Sequence, residues 1–192
     1  MTNIPTRFSL RRAITPATAP FTHTFTMATL IAIPIFGAIV LFQSSIASRI
    51  HLLYGTADLV LLTIVAWTIH PRVQTGWQWS LIGGIFSSFT TALPFGVVLA
   101  SYLGTTGITL LIRKRIWQVP LLAMLLATFL GTILIHGLSM LALWFEGTRM
   151  PVLESINLII LPSLLLNLLI AFPVYILIGD LADWVYPKEI EA

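Results

Sequence analysis

The chain has no cysteine. Disulfides, thiolate metal ligands and a catalytic thiol are therefore excluded, while the redox compartment stays open. Charge is also scarce: Asp, Glu, Lys and Arg make up 9% of the 192 residues, against about 25% in soluble domains. The longest polar stretch is residues 1–26, well short of the ~50 residues of a small soluble domain. His23, His51, His70 and His136 are scattered, and no two stand at the i, i+4 spacing of a helical zinc motif. No phosphate-cradling glycine loop and no G-x-S-x-G occur, and Ser163 in Pro-Ser-Leu has no base in reach of the sequence pattern. Hydrolase and ATPase chemistry lack their parts, so the chain reads as non-enzymatic, without metal or cofactor.

What the chain has is apolar length. Hydrophobic residues make up 57% of it, and the mean hydropathy is +0.96. This composition predicts an all-α integral membrane protein. The net charge of +3 and pI near 9.7 do not point to nucleic acid, because the basic residues flank apolar runs and act as topology signals.

The organising stretch is Gly76 to Ile112, which carries no charge. As one helix it would measure roughly 55 Å, nearly twice the ~30 Å of a hydrocarbon core, so it must fold back. Pro94 and Gly96 near its middle mark the turn of a helical hairpin, with a missing amide donor and a residue tolerant of positive φ. Small residues recur every fourth position on both arms: Gly76, Ser80, Gly84 and Ser88 on the first, Gly96, Ala100 and Gly104 on the second. Such rows let helix backbones approach closely in lipid, which predicts that the first arm packs against a helix of this chain or another.

Around the hairpin the sequence predicts six spans. Residues 1–26 form a polar tail with Arg7, Arg11 and Arg12, and 27–184 form the membrane domain. Residues 185–192 form a second tail. The Arg11-Arg12 pair and Ser45-Ile46-Ala47 superficially resemble a secretion signal, but the leader would exceed the usual 15 to 30 residues. Span one is Met27 to Ala47, kinked at Pro34. Span two runs from about Leu52 to His70-Pro71-Arg72, where the helix must stop. The hairpin supplies spans three and four, Trp117 to Phe145 is span five, and about Ile156 to Ile178 is span six, bent or properly begun near Pro162. With the N-terminus in the cytoplasm, Arg7, Arg11, Arg12, Arg72, Arg113, Lys114, Arg115 and Lys188 fall inside, and only Arg49 and Arg149 fall outside. Both termini are therefore assigned to the cytoplasm. Trp77, Trp79, Trp117, Trp144 and Trp184 lie near span ends, as an interfacial belt requires.

Asp58, His136 and Asn167 are the polar residues inside spans singled out by the sequence. Asp58 is expected to cap the second helix near the membrane surface after an irregular lead-in through Gly55-Thr56-Ala57; the competing role is an ion or proton site. His136 and Asn167 are expected to act as hydrogen-bonding links between helices, with His136 bonded to a backbone carbonyl or to Asn167. Arg113-Lys114-Arg115 orients the chain and touches anionic headgroups.

Taken in order, Ala57-Asp58-Leu59-Val60-Leu61-Leu62 with Trp67, Gly83-Gly84-Ile85, Leu93-Pro94-Phe95-Gly96, and Ile160 to Asn167 with Pro173-Val174-Tyr175 resemble the rod shape-determining MreD family. The resemblance covers roughly Leu52 to Asp180. It departs at Ala57, where the family often has proline, and at Ser87, where it commonly has an acidic residue. The resemblance implies a scaffold subunit of the bacterial cell-elongation machinery in the cytoplasmic membrane. Its implied partners are MreC, RodA, a class B penicillin-binding protein and MreB, besides the lipid bilayer. The small-residue row of Gly76, Ser80, Gly84 and Ser88, with the turn Leu93, Pro94, Phe95 and Gly96, is the expected platform for MreC. Family members also look like the six-helix substrate-binding subunits of energy-coupling-factor transporters. The alternative is therefore a vitamin-binding subunit using Asn157, Asn167 and His136, and a third class is a proton-coupled carrier using Asp58.

Overall fold

The computed structural model describes residues 19–45 (19–26 as backbone alone), 54–116, 118–148 and 151–187. Expectations placed on residues 1–18, Arg49, His51, the first residues of span two, Trp117, Arg149 and the tail from Lys188 lie outside the described residues.

The fold is all-helical. The helices are α1 (Ala19–Ser45), α2 (Leu59–Ile69), α3 (Gly76–Ser88), α4 (Phe95–Arg115), α5 (Pro120–Phe145), α6 (Val152–Ser155) and α7 (Leu161–Val185). A π turn, Ile156–Ile160, joins the last two into one rod. Four stretches are long and apolar enough to cross a membrane: Met27–Ser45, Phe95–Arg115, Pro120–Phe145 and Val152–Val185. α2 and α3 have 11 and 13 residues. At about 16 and 20 Å, each falls short of a ~30 Å hydrocarbon core. In span two the helix begins at Leu59, after the expected irregular lead-in through Gly55-Thr56-Ala57.

α2 is the axis of the bundle. Val60 through Ile69 are all buried, and α1, α3, α4, α5 and α7 pack around them. An apolar helix with no polar face has no reason to lie at an edge, whereas its five neighbours each keep an exposed apolar face. Directions alternate. Tyr102 reaches the start of α2 and Arg113 its end, so α4 runs parallel to α2. Ser163 and Asn167 of α7 meet the start and Asp183 meets His70 beyond the end, so α7 runs the same way. α1, α3 and α5 run opposite: Gln43 bonds Leu59, Thr68 crowds Gly76, and Thr105 crowds Gly131. One end of the bundle therefore gathers Arg72, Arg113, Lys114 and Arg115, all the Lys and Arg among the described residues. The other end holds Asp58, Ser88 and Phe95.

Three expectations need correction. The hairpin turns through Phe89 to Pro94, and Phe95 and Gly96 already lie in the first turn of α4. Gly96 does not use a positive φ; among the described residues only Gly147 does. The row on the second arm is packed only at Gly104, where a Cβ would meet Leu134 Cδ2 at 2.9 Å. Gly96 and Ala100 are exposed, while Val98, Ser101, Tyr102, Thr105, Thr106, Thr109 and Ile112 face inward. The hydroxyls of Ser101, Thr105 and Thr109 are tolerated in this core because each donates to the carbonyl four residues back. Finally, Trp79 belongs to no belt. It is fully buried, stacked on Trp67 at 3.8 Å between ring centroids, and its Nε1 donates to Ala28 O at 2.9 Å. Trp77, Trp144 and Trp184 are exposed near helix ends, as expected.

Candidate functional site

The polar residues of this apolar bundle collect at the two ends of α2. Before α2 the chain is extended, and it lies against α7 because proline leaves a carbonyl unpaired there. Pro162 has no N–H to offer Leu158 O, one turn back. That carbonyl accepts instead from Tyr54 N at 3.1 Å. Two residues on, Thr56 N donates to Ser163 Oγ at 3.1 Å, and after two more Asp58 N donates to Asn167 Oδ1 at 2.8 Å. Alternate amides of an extended chain repeat every ~6.6 Å. Four to five residues of helix rise about 6 to 7.5 Å, so positions 158, 163 and 167 match that repeat. Gly55 permits the approach: a Cβ there would lie 2.5 Å from Ser163 N and 2.6 Å from Pro162 Cβ. Backbone at this depth can leave the helix only where protein satisfies it.

Asp58 then caps α2, as expected. Its Oδ1 accepts from Leu61 N at 2.9 Å, and its Oδ2 accepts from Tyr102 OH at 2.9 Å. Ser87 Oγ donates to the same tyrosine oxygen at 3.1 Å. Leu59 N, a further orphan donor of the first turn, is taken by Gln43 Oε1 at 3.1 Å. Asn167 Nδ2 donates to Thr132 Oγ1 at 3.0 Å. Thus α1, α3, α4, α5 and α7 each contribute a polar side chain, directly or through one intermediary. Among the described residues no Lys or Arg pairs with Asp58.

The other end is held by a cation. Arg113 Nη1 lies 2.7 Å from Thr68 O, 3.1 Å from His70 O and 3.0 Å from Val73 O, so α4 adds a side-chain cap to the backbone one that His70 N makes to Trp67 O. Trp67 Nε1 donates to Thr75 Oγ1 at 3.0 Å, which ties the last turn of α2 to the residue before α3. Arg72 Nη1 donates to Asp183 Oδ1 and to Tyr186 O, both at 3.0 Å, and joins this link to the end of α7. His70 Nε2 stands 3.4 Å from the same carboxylate. Burial holds the His70 imidazole below its ordinary range, against the opposing pull of Asp183.

Of the residues picked out in sequence, the structure joins Asp58 to Asn167. It does not join His136 to either; that imidazole is half-buried and makes no hydrogen bond among the described residues. The small-residue row of α3 is filled by this chain's own helices. A Cβ on Gly76 would meet Thr68 Oγ1 at 2.8 Å, and one on Gly84 would meet Leu99 Cδ1 at 3.0 Å. Ser80 is fully buried, and Ser88 Oγ turns back to Ile85 O. That row is therefore internal packing, and the outward face of α3 carries Trp77 and Leu81 instead. At the turn Leu93 is half-buried, Pro94 and Phe95 are exposed, and no atom lies within 4 Å of a Cβ on Gly96. Asn157 is exposed and stands about 15 Å along the rod from buried Asn167. Tyr102, Gln43, Ser163 and Thr132 were not anticipated. A tyrosine inside an apolar span was the available signal for the first, since a buried phenol needs a partner. Among the described residues no group of His, Asp and Glu is placed to hold a metal ion.

Comparison with protein-family models, with curated proteins and with solved structures found no match.

Proposed function

We propose that this chain is a multi-pass scaffold of the bacterial cytoplasmic membrane, an MreD-like subunit of the cell-elongation machinery that binds an MreC-type partner. It crosses the bilayer six times with both termini in the cytoplasm. Alternating helix directions and the gathering of Arg72, Arg113, Lys114 and Arg115 at one end support that topology. Short α2 is shielded from lipid by its neighbours, and short α3 is completed by the links at either end.

One observation carries the non-catalytic reading. Both oxygens of Asp58 are engaged by groups of this chain, and both functional groups of Asn167 are engaged as well. A carrier or vitamin site needs polar groups that are left for a ligand. Asp58 and Asn167 instead hold helices together, and the exposed surfaces are apolar helix faces suited to lipid and to other membrane helices.

The test is removal of the gene from its native cell. The proposal expects rods to round up and an epitope-tagged copy to restore shape and co-purify a single-span MreC-type protein. Retained rods with lost vitamin uptake would replace it with the transporter reading.

A further inference from the structure

Tyr102 and Arg113 lie on one helix, about 16 Å apart, which is also the length of α2. The first bonds the carboxylate that caps the start of α2; the second bonds carbonyls at its end. Between them Leu61 of α2 and Thr105 of α4 meet over Gly131, where a Cβ would lie 2.7 Å from Thr105 Cγ2 and 3.1 Å from Leu61 Cδ1. α2 contains neither glycine nor proline, so it has no built-in point of bending. The two glycines of α4 between the locks are packed, Gly104 toward Leu134 and Gly107 toward Trp77.

We propose that α2 and α4 form one brace, pinned at both ends, that carries a displacement at the Asp58 end of the bundle to the His70–Thr75 link at the basic end. Through Arg72 and Asp183 the movement reaches the end of α7. The helix dipole favours the pinned state at one end, since the Arg113 guanidinium sits at the negative end of α2. The brace does not depend on which partners the chain meets.

Hydrogen exchange on the full chain in phospholipid nanodiscs tests it, with Tyr102→Phe, Arg113→Gln and the double variant. Tyr102→Phe removes only a hydroxyl, yet it should speed exchange at residues 70–75 as well as at 59–62. Arg113→Gln should speed exchange at 59–62 as well as at 70–75. Each remote change should be about threefold, the factor that matches one interhelical bond of typical membrane strength. The thermal shift of the double variant should fall short of the sum of the two single shifts. Loosening confined to the near end in each single variant, with additive shifts as separated sites normally show, would overturn the brace. If Arg113→Gln does not accumulate, Arg113→Lys keeps the charge, loses the reach of the guanidinium, and is read by the same two criteria.

Discussion

At the Asp58 end of α2, five helices supply polar side chains, whereas at the Ile69 end two arginines, Arg113 and Arg72, make most of the links. The difference follows from what a helix leaves unpaired. Orphan N–H groups each need a separate acceptor, so the first turn recruits Asp58 and Gln43, and the lead-in amides recruit Ser163 and Asn167. Carbonyls at this end converge, so the two N–H groups of Arg113 Nη1 can be shared among Thr68, His70 and Val73. The first arrangement fixes five helices in register at the cost of many partners. The second is compact.

The comparison can be broken most severely at Gly55. Gly55→Leu would drive a side chain into the backbone at Ser163, part the lead-in segment from α7, and cost about 3 kcal/mol or more. The expected result is loss of the monodisperse protein on gel filtration in detergent. The hairpin supplies the next contrast. Gly84→Leu meets Leu99 and Tyr102 and should lower thermal stability by about 1–3 kcal/mol, while Gly96→Leu enters open space and should change it by less than about 0.5 kcal/mol. Equal effects would mean that the row on α3 is not internal packing.

The smallest effect belongs to the basic end. The native pKa of His70 lies below its unfolded value of 6.5, so the folded state binds fewer protons than the unfolded one. Its contribution is complete above pH 6.5 and is lost as pH falls toward the depressed native value. Melting curves at falling pH should show a shallow decline that His70→Gln flattens, and an unchanged slope in that variant would remove His70 from the account.

Much of this was legible in the chain. The stop at His70-Pro71, the cap at Asp58 and the irregular passage through Gly55 follow from local chemistry that acts within a few residues. The bend near Pro162 was visible too, though not its consequence. Nothing local announces that the carbonyl orphaned by Pro162 would be met by an amide more than a hundred residues earlier. Arg113 looked like a topology signal because its neighbours Lys114 and Arg115 are exposed, and only the fold turns it inward. Trp79 was misplaced for a related reason: position near a span end does not say which way a ring points. The paired rows of small residues misled in half. On α3 they mark the packed face, but on α4 only Gly104 is packed and the inward face is carried mainly by Ser101, Thr105 and Thr109, whose hydroxyls are satisfied by the carbonyls four residues back.

The central claim is that Asp58 holds the bundle together and does no transport or chemistry. Asp58→Asn in the native cell tests it most directly, with protein level in the membrane and cell shape scored together. Asparagine can still accept from Leu61 N, but its Nδ2 cannot accept from the Tyr102 hydroxyl as Asp58 Oδ2 does. The account predicts that shape fails only in proportion to the loss of assembled protein. An Asp58→Asn protein assembled at the native level in cells that have nevertheless lost their shape would contradict it.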